Sequence, residues 1–104
     1  MTIPNLHDAT LVGVELGWAE GRVRLHFSGS PYRPGGPFSI CWRLVSELHV
    51  TRNEPWGPSV SVLEAKETEP GLWLLLMQSG DEIRIRGNAP VVEELATIGL
   101  GERP

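Results

Sequence analysis

Hydrophobic and polar residues alternate with period two through most of this chain. Val12, Val14, Leu16 and Trp18 recur at every second position, with Gly13, Glu15 and Gly17 between them, which is the spacing of a strand with one buried face. Ala19-Glu20-Gly21 reads as a short loop whose glycine stands where a positive φ is wanted. From Arg22 to Ser28 the alternation resumes, with Val23, Leu25 and Phe27 facing one way and Arg22, Arg24 and His26 the other. The two runs predict an antiparallel hairpin.

Residues 30–37 hold three prolines and two glycines, so they form a loop. Beyond it Phe38, Ile40, Trp42 and Leu44 share a face, and then the phase slips: Leu48 and Val50 stay in register only if Ser46 faces the core. A bulge near Val45, or a break into two strands, accounts for the slip. A second stiff loop, Arg52-Asn53-Glu54-Pro55-Trp56-Gly57-Pro58-Ser59, precedes an alternating run over 59–67 with Val60 and Val62 on one face. Pro70-Gly71 occupies the central positions of a type II turn. The run 72–77 is apolar at every position and predicts a central strand covered on both faces. After a turn over 78–81, Ile83 and Ile85 point inward from a last strand, with Arg84 and Arg86 outward.

Past Gly87 the pattern becomes helical. Asn88 suits a cap, Pro90 a first turn, and Glu93 and Glu94 the positive end of the dipole; Val91, Leu95 and Ile98 form one stripe that Gly99 and Gly101 end. The expected fold is therefore mainly β. About six mostly antiparallel strands form a meander, as a sandwich or partly open barrel, with one short C-terminal helix. The 104 residues suit one domain with one modest core.

Composition narrows the function classes. Nine Lys and Arg stand against thirteen Asp and Glu, a formal charge of −4, which opposes general binding of nucleic-acid phosphates. Cys41 is the single cysteine, which excludes an intrachain disulfide or a cysteine-based zinc site and fits a reducing compartment. The first residues show no basic segment followed by an apolar one, and the longest apolar run, 72–77, is far short of the ~20 residues a spanning helix needs. The expectation is a cytoplasmic protein away from membranes.

Three segments carry a resemblance: Leu6-His7-Asp8-Ala9-Thr10-Leu11, Glu54-Pro55-Trp56-Gly57-Pro58-Ser59 and Met77-Gln78-Ser79-Gly80-Asp81. Together they resemble small bacterial β-rich proteins, some of which are grouped distantly with immunity proteins of polymorphic toxin systems. The resemblance spans about residues 6–87 and implies a small cytoplasmic β domain that binds a partner. It carries no functional residues across, and a shared fold does not by itself transfer a function.

The candidate chemistry is sparse. His7 and Asp8 offer two metal ligands, or a base with its orienter. The plainer reading has Asp8 closing the turn into the first strand with His7 packed beside it. His26 and His49 complete a set of three histidines, but none is spaced i, i+2 or i, i+4 from another, and His26 lies on the polar face of its strand. Cys41 sits in an apolar strand pattern that suits an inert thiol. No G-x-S-x-G elbow, phosphate-binding loop or cofactor motif is present.

Arg22, Arg24, Arg84 and Arg86 lie on outward faces, in two pairs at i, i+2. If both strands share a sheet face, the four form a patch for carboxylates or phosphates; otherwise they pair with glutamates on neighbouring strands. Trp56, held between prolines and glycine, and Tyr32 in the first stiff loop lose little entropy when they bind. The sequence therefore favours a non-catalytic module that binds another protein through Trp56, Tyr32 and the arginines, with self-association through an edge strand as a variant. The alternative is a small-ligand or enzymatic domain with a pocket near His7, Asp8 and His49; nucleic acid comes third.

Overall fold

The computed structural model describes residues 5–54 and 57–93. Eight strands follow in order among them: β1 (Thr10–Gly17), β2 (Arg22–Gly29), β3 (Phe38–Trp42), β4 (Glu47–Val50), β5 (Val62–Glu69), β6 (Leu72–Met77), β7 (Glu82–Arg86) and β8 (Val91–Glu93). A 3-10 turn, Gly57–Val60, precedes β5. All pairings are antiparallel, and the strands form two four-stranded sheets ordered β1-β2-β3-β8 and β4-β7-β6-β5. The mainly β expectation holds, but two sheets with two non-sequential pairings replace the single meander of about six strands. No closed barrel forms among the described residues.

Alternation explains the core. Val23, Leu25 and Phe27 of β2, with Phe38, Ile40 and Trp42 of β3, face Trp73, Leu75 and Met77 of β6 and Ile83 and Ile85 of β7 in one buried cluster. Phe27 and Phe38 stand opposite each other in register and stack with centroids 5.0 Å apart. Leu72, Leu74 and Leu76 of β6 are half-buried on the second sheet's outer face, so this strand is not fully covered on both sides as its composition predicts. Charged side chains flank them instead. Leu74 sits between Lys66 and Arg84, and the Arg86 guanidinium reaches Glu69 at 3.5 Å from two strands away. The aliphatic stems of such residues shield apolar surface while their heads stay in water.

The phase slip after Trp42 is a break between sheets. Leu44 takes a positive φ of 51° and turns outward, 71% exposed, so it does not join the face of Phe38, Ile40 and Trp42. The chain then enters β4, which pairs with β7. Val60, expected on a strand face with Val62, lies in the 3-10 turn and is exposed. The expected C-terminal helix is not seen. Residues 91–93 instead pair with Cys41, Ile40 and Ser39, because β3 offers an open edge that a short extended segment satisfies. The remainder of that predicted helix lies outside the described residues.

The two sheets meet at an angle. Thr10 bridges Ser61 ahead of β5, and the Val62 N–H donates to the Ala9 carbonyl at 3.0 Å. At the other end of the β1-β2 hairpin, the Val45 N–H donates to the Gly21 carbonyl at 2.8 Å, just before β4 begins. β1 thus passes obliquely from the β5 side of the second sheet to its β4 side.

Candidate functional site

The residues singled out in the sequence separate in space. Arg22 and Arg24 lie on the outer face of the first sheet and Arg84 and Arg86 on the second, so the four do not form one patch. Three of them meet carboxylates: Arg24 with Glu93 at 2.9 Å, Arg84 with Glu82 at 3.0 Å, and Arg86 with Glu47 and Glu69, each at 3.5 Å. The hydrogen bond from Arg24 to Glu93 raises its pKa further above the usual guanidinium range. Trp56 lies outside the described residues. Tyr32 is 59% exposed, and its ring meets His7 edge-on with centroids 6.4 Å apart.

The histidines do not converge. His26 lies on β2 of one sheet, His49 on β4 of the other, and His7 precedes β1. Among the described residues no group of three or more His, Cys, Asp or Glu side chains is placed to hold a metal ion. His7 Nδ1 lies 3.2 Å from the Asp8 carboxylate, while Asp8, at a φ of 66°, accepts a hydrogen bond from Gln78. Asp8 does belong to the turn entering β1, as the plainer reading expects, but the local side-chain hydrogen bond comes from Asn5, whose Oδ1 accepts the His7 N–H at 3.0 Å. Cys41 is buried, as its apolar strand pattern suggests.

A different surface emerges along β1. Val14 and Leu16 stand opposite Leu25 and Val23 and so share their core-facing side. Yet Val14 and Leu16 are 40% and 45% exposed, while Leu25 and Val23 are fully buried. The difference comes from position: β1 is the edge strand of its sheet, whereas β2 lies between two strands. The register shift between Leu11 and Gly13 leaves Val12 as an extra residue opposite β2, 62% exposed and lining a groove with Val14. Apart from the bridge at Thr10, the second edge of β1 has no strand partner among the described residues.

Two grooves flank this edge. One, of about 440 Å3, is lined by Leu11, Val14, Val50 and Val60, with Arg52 and Asp81 at its polar side. The other, of about 310 Å3, lies between Leu16 and Trp18 of the hairpin and residues 45–48. Trp18, read from the sequence as a core residue, is 86% exposed.

Asp81 fixes the first groove's polar wall. Its buried carboxylate accepts the backbone N–H groups of Asn53 at 2.9 Å and Glu54 at 3.1 Å, and the hydroxyls of Thr51 at 3.0 Å and Ser79 at 3.1 Å. The N–H of Asn53 above all, then those of Glu54 and the hydroxyls, hold this carboxyl below the usual carboxylate range. The loop after β4 is thereby tied to the β6-β7 turn.

On the outer face of the first sheet, His26 Nε2 lies 2.9 Å from Glu15 and Nδ1 lies 2.7 Å from the buried Ser39 hydroxyl. With its proton on Nε2, the ring donates to Glu15 and accepts from Ser39. The His26 hydrogen bond holds the Glu15 carboxyl below its ordinary range. Ser39 is enclosed and presents no accessible hydroxyl, so the three residues cross-link β1, β2 and β3.

Comparison with protein-family models, curated proteins and solved structures returns no match for this chain. The functional reading therefore rests on geometry. The sequence does place Val14, Leu16 and Trp18 on one stripe, but alternation identifies an apolar face without telling whether another sheet covers it. Leu44 carries a signal only in retrospect, as the residue where two strand phases collide.

Proposed function

We propose that the protein is a non-catalytic binding module that takes an extended segment of another protein along the β1 edge. One observation carries the reading: Val14 and Leu16 face the core side of the first sheet but remain substantially exposed beside a strand edge with no partner among the described residues. An incoming strand gains main-chain hydrogen bonds from such an edge, and its alternate side chains enter the flanking apolar grooves. Val14 lines the first groove and Leu16 the second, so successive inward positions of β1 serve successive grooves. Trp18 supplies a large aromatic contact at the end of the path.

This reading keeps the protein-binding role expected from the sequence and moves its centre from the Pro/Gly loops to β1. Tyr32 stays a peripheral candidate. Selection from a phage-displayed library of random eight-residue peptides tests the reading. The wild type is expected to retain peptides with alternating apolar residues, and Val14→Asp and Trp18→Ser to lose them at least tenfold while circular dichroism stays unchanged. Equal retention by the three proteins overturns it.

A further inference from the structure

Four exposed valines converge on one groove. Val12 and Val14 of β1, Val50 at the end of β4 and Val60 of the 3-10 turn, each between 40% and 62% exposed, line the groove of about 440 Å3. Met77 and Ile83, both buried, line it from the core side. Single apolar side chains on a surface need no explanation, but a contiguous concave set marks a site of interaction. The volume falls within the roughly 300–1,000 Å3 of small-molecule sites.

Hydrogen bonds hold the walls on both sides. Thr10 bridges Ser61, the Val62 N–H donates to the Ala9 carbonyl, and the Gln78 N–H donates to the Ser61 carbonyl at 2.8 Å, which fixes the end of the 3-10 turn between β1 and β6. On the other side Asp81 ties residues 51–54 to the β6-β7 turn. Walls held in this way stand before any ligand enters, so little ordering entropy opposes binding.

The polar side chains decide what fits. Among the described residues they are Thr51, Arg52 and Asp81. Each Asp81 carboxylate oxygen already accepts two hydrogen bonds, and the Thr51 hydroxyl donates to Asp81 and accepts the Glu82 N–H at 3.0 Å. Both residues are saturated, and a polar group set against the valines would lose its water without replacement. Arg52 differs. Its exposed guanidinium has no hydrogen-bond or ion-pair partner among the described residues, so its donors stay open at the rim.

We infer that this groove takes a small molecule with an apolar body and one head group bearing an acceptor oxygen. The body lies over Met77 and Ile83 between the valines, and the head accepts from Arg52. The inference stands apart from the edge reading, because it uses the side chains of the groove and not the main chain of β1. None of His7, Asp8 and His49, around which the sequence places a pocket, lines it.

Met77 supplies the readout. The chain has two methionines, so carbon-13 labelling of their methyl groups gives two signals, which Met77→Leu assigns. Octanoate is expected to shift the Met77 methyl signal to saturation. Octylamine, with the same tail and a protonated head that only donates, is expected to bind at least tenfold more weakly, and Arg52→Glu to reverse that order. Val60→Asp, at an exposed position, is expected to weaken octanoate at least tenfold with circular dichroism unchanged. Equal binding of the two probes to wild type and Arg52→Glu overturns the head-group assignment. A Met77 methyl signal that millimolar octanoate leaves unmoved overturns the site, whether a second copy, the chain's own undescribed residues or nothing fills the groove. The peptide selection is scored separately, so failure here and failure of the edge reading are distinct results.

Discussion

Trp42 of β3 and Trp73 of β6 meet edge to face across the two sheets, with ring centroids 6.5 Å apart and planes at 64°. Both rings are buried, and neither indole N–H finds a hydrogen-bond acceptor among the described residues. The pair therefore joins the layers by packing alone. Trp73→Ala is expected to cost about 3–5 kcal/mol. Trp73→Phe retains much of the contact and removes an unpartnered N–H, whose burial costs about 1–3 kcal/mol. Its loss is expected to stay below about 1.5 kcal/mol, the range of mild core swaps. Urea unfolding of both variants checks the order; a Phe variant as unstable as the Ala variant contradicts it.

Asp81 couples stability to pH. Its folded-state pKa lies below the ordinary value, chiefly because the Asn53 N–H donates to the ionised form. A depressed carboxyl stabilises the folded state above its unfolded pKa, and that contribution is lost as pH falls through the folded value. Asp81→Asn is expected to lower the melting temperature at pH 7 and to lower it less at a pH below the depressed folded-state value, where the wild-type carboxyl is protonated too. Thermal unfolding across that range provides the check. An equal drop at both pH values assigns the effect to geometry and not to charge.

The Glu15–His26 bond gives a second, more exposed titration. The Glu15 carboxyl is held below its ordinary value first by the His26 hydrogen bond. Carbon-13 detection of the side-chain carboxyl should place its midpoint below that of an unperturbed glutamate. His26→Ala should raise it towards the ordinary value; an unchanged midpoint contradicts the assignment. The same linkage sign applies: this bond favours the folded state above the unfolded glutamate pKa and ceases to do so as pH falls through the depressed one.

The sequence was most informative where one face of a strand is covered. The hairpin of β1 and β2 and the inward Ile83 and Ile85 follow directly from alternation and turn residues, while the all-apolar run 72–77 is a strand as expected but with only one face fully buried. Three features lay beyond it. Val12 fits the stripe of Val14 and Leu16, and only the register with β2 shows it displaced by a bulge. Val91–Glu93 satisfies a short helical pattern, but the unpaired edge of β3 competes for the same residues, and pairing wins. The β1 edge was half legible: alternation identifies its apolar residues but not that they stay exposed at the end of a sheet.

Leu44 holds a left-handed backbone with its side chain in solvent. A left-handed conformation costs a non-glycine residue roughly 1–2 kcal/mol, while glycine gives up about 0.5–1 kcal/mol in backbone entropy. At a φ of 51° and with its side chain largely in solvent, Leu44 has little burial to offset that strain. Leu44→Gly is expected to gain about 0.5–1 kcal/mol in urea unfolding. A variant that is less stable than the wild type contradicts the assignment.

Amide hydrogen exchange along β1, followed with and without a selected peptide, tests the binding edge most directly. Alternate amides of an edge strand point away from its single partner. In the free protein, the outward amides among residues 14–17 are expected to exchange quickly while those bonded to β2 are protected, and bound peptide is expected to slow the outward set at least tenfold. Unchanged β1 exchange, with protection confined to the loop over 30–37 or the outer sheet faces, would contradict the account.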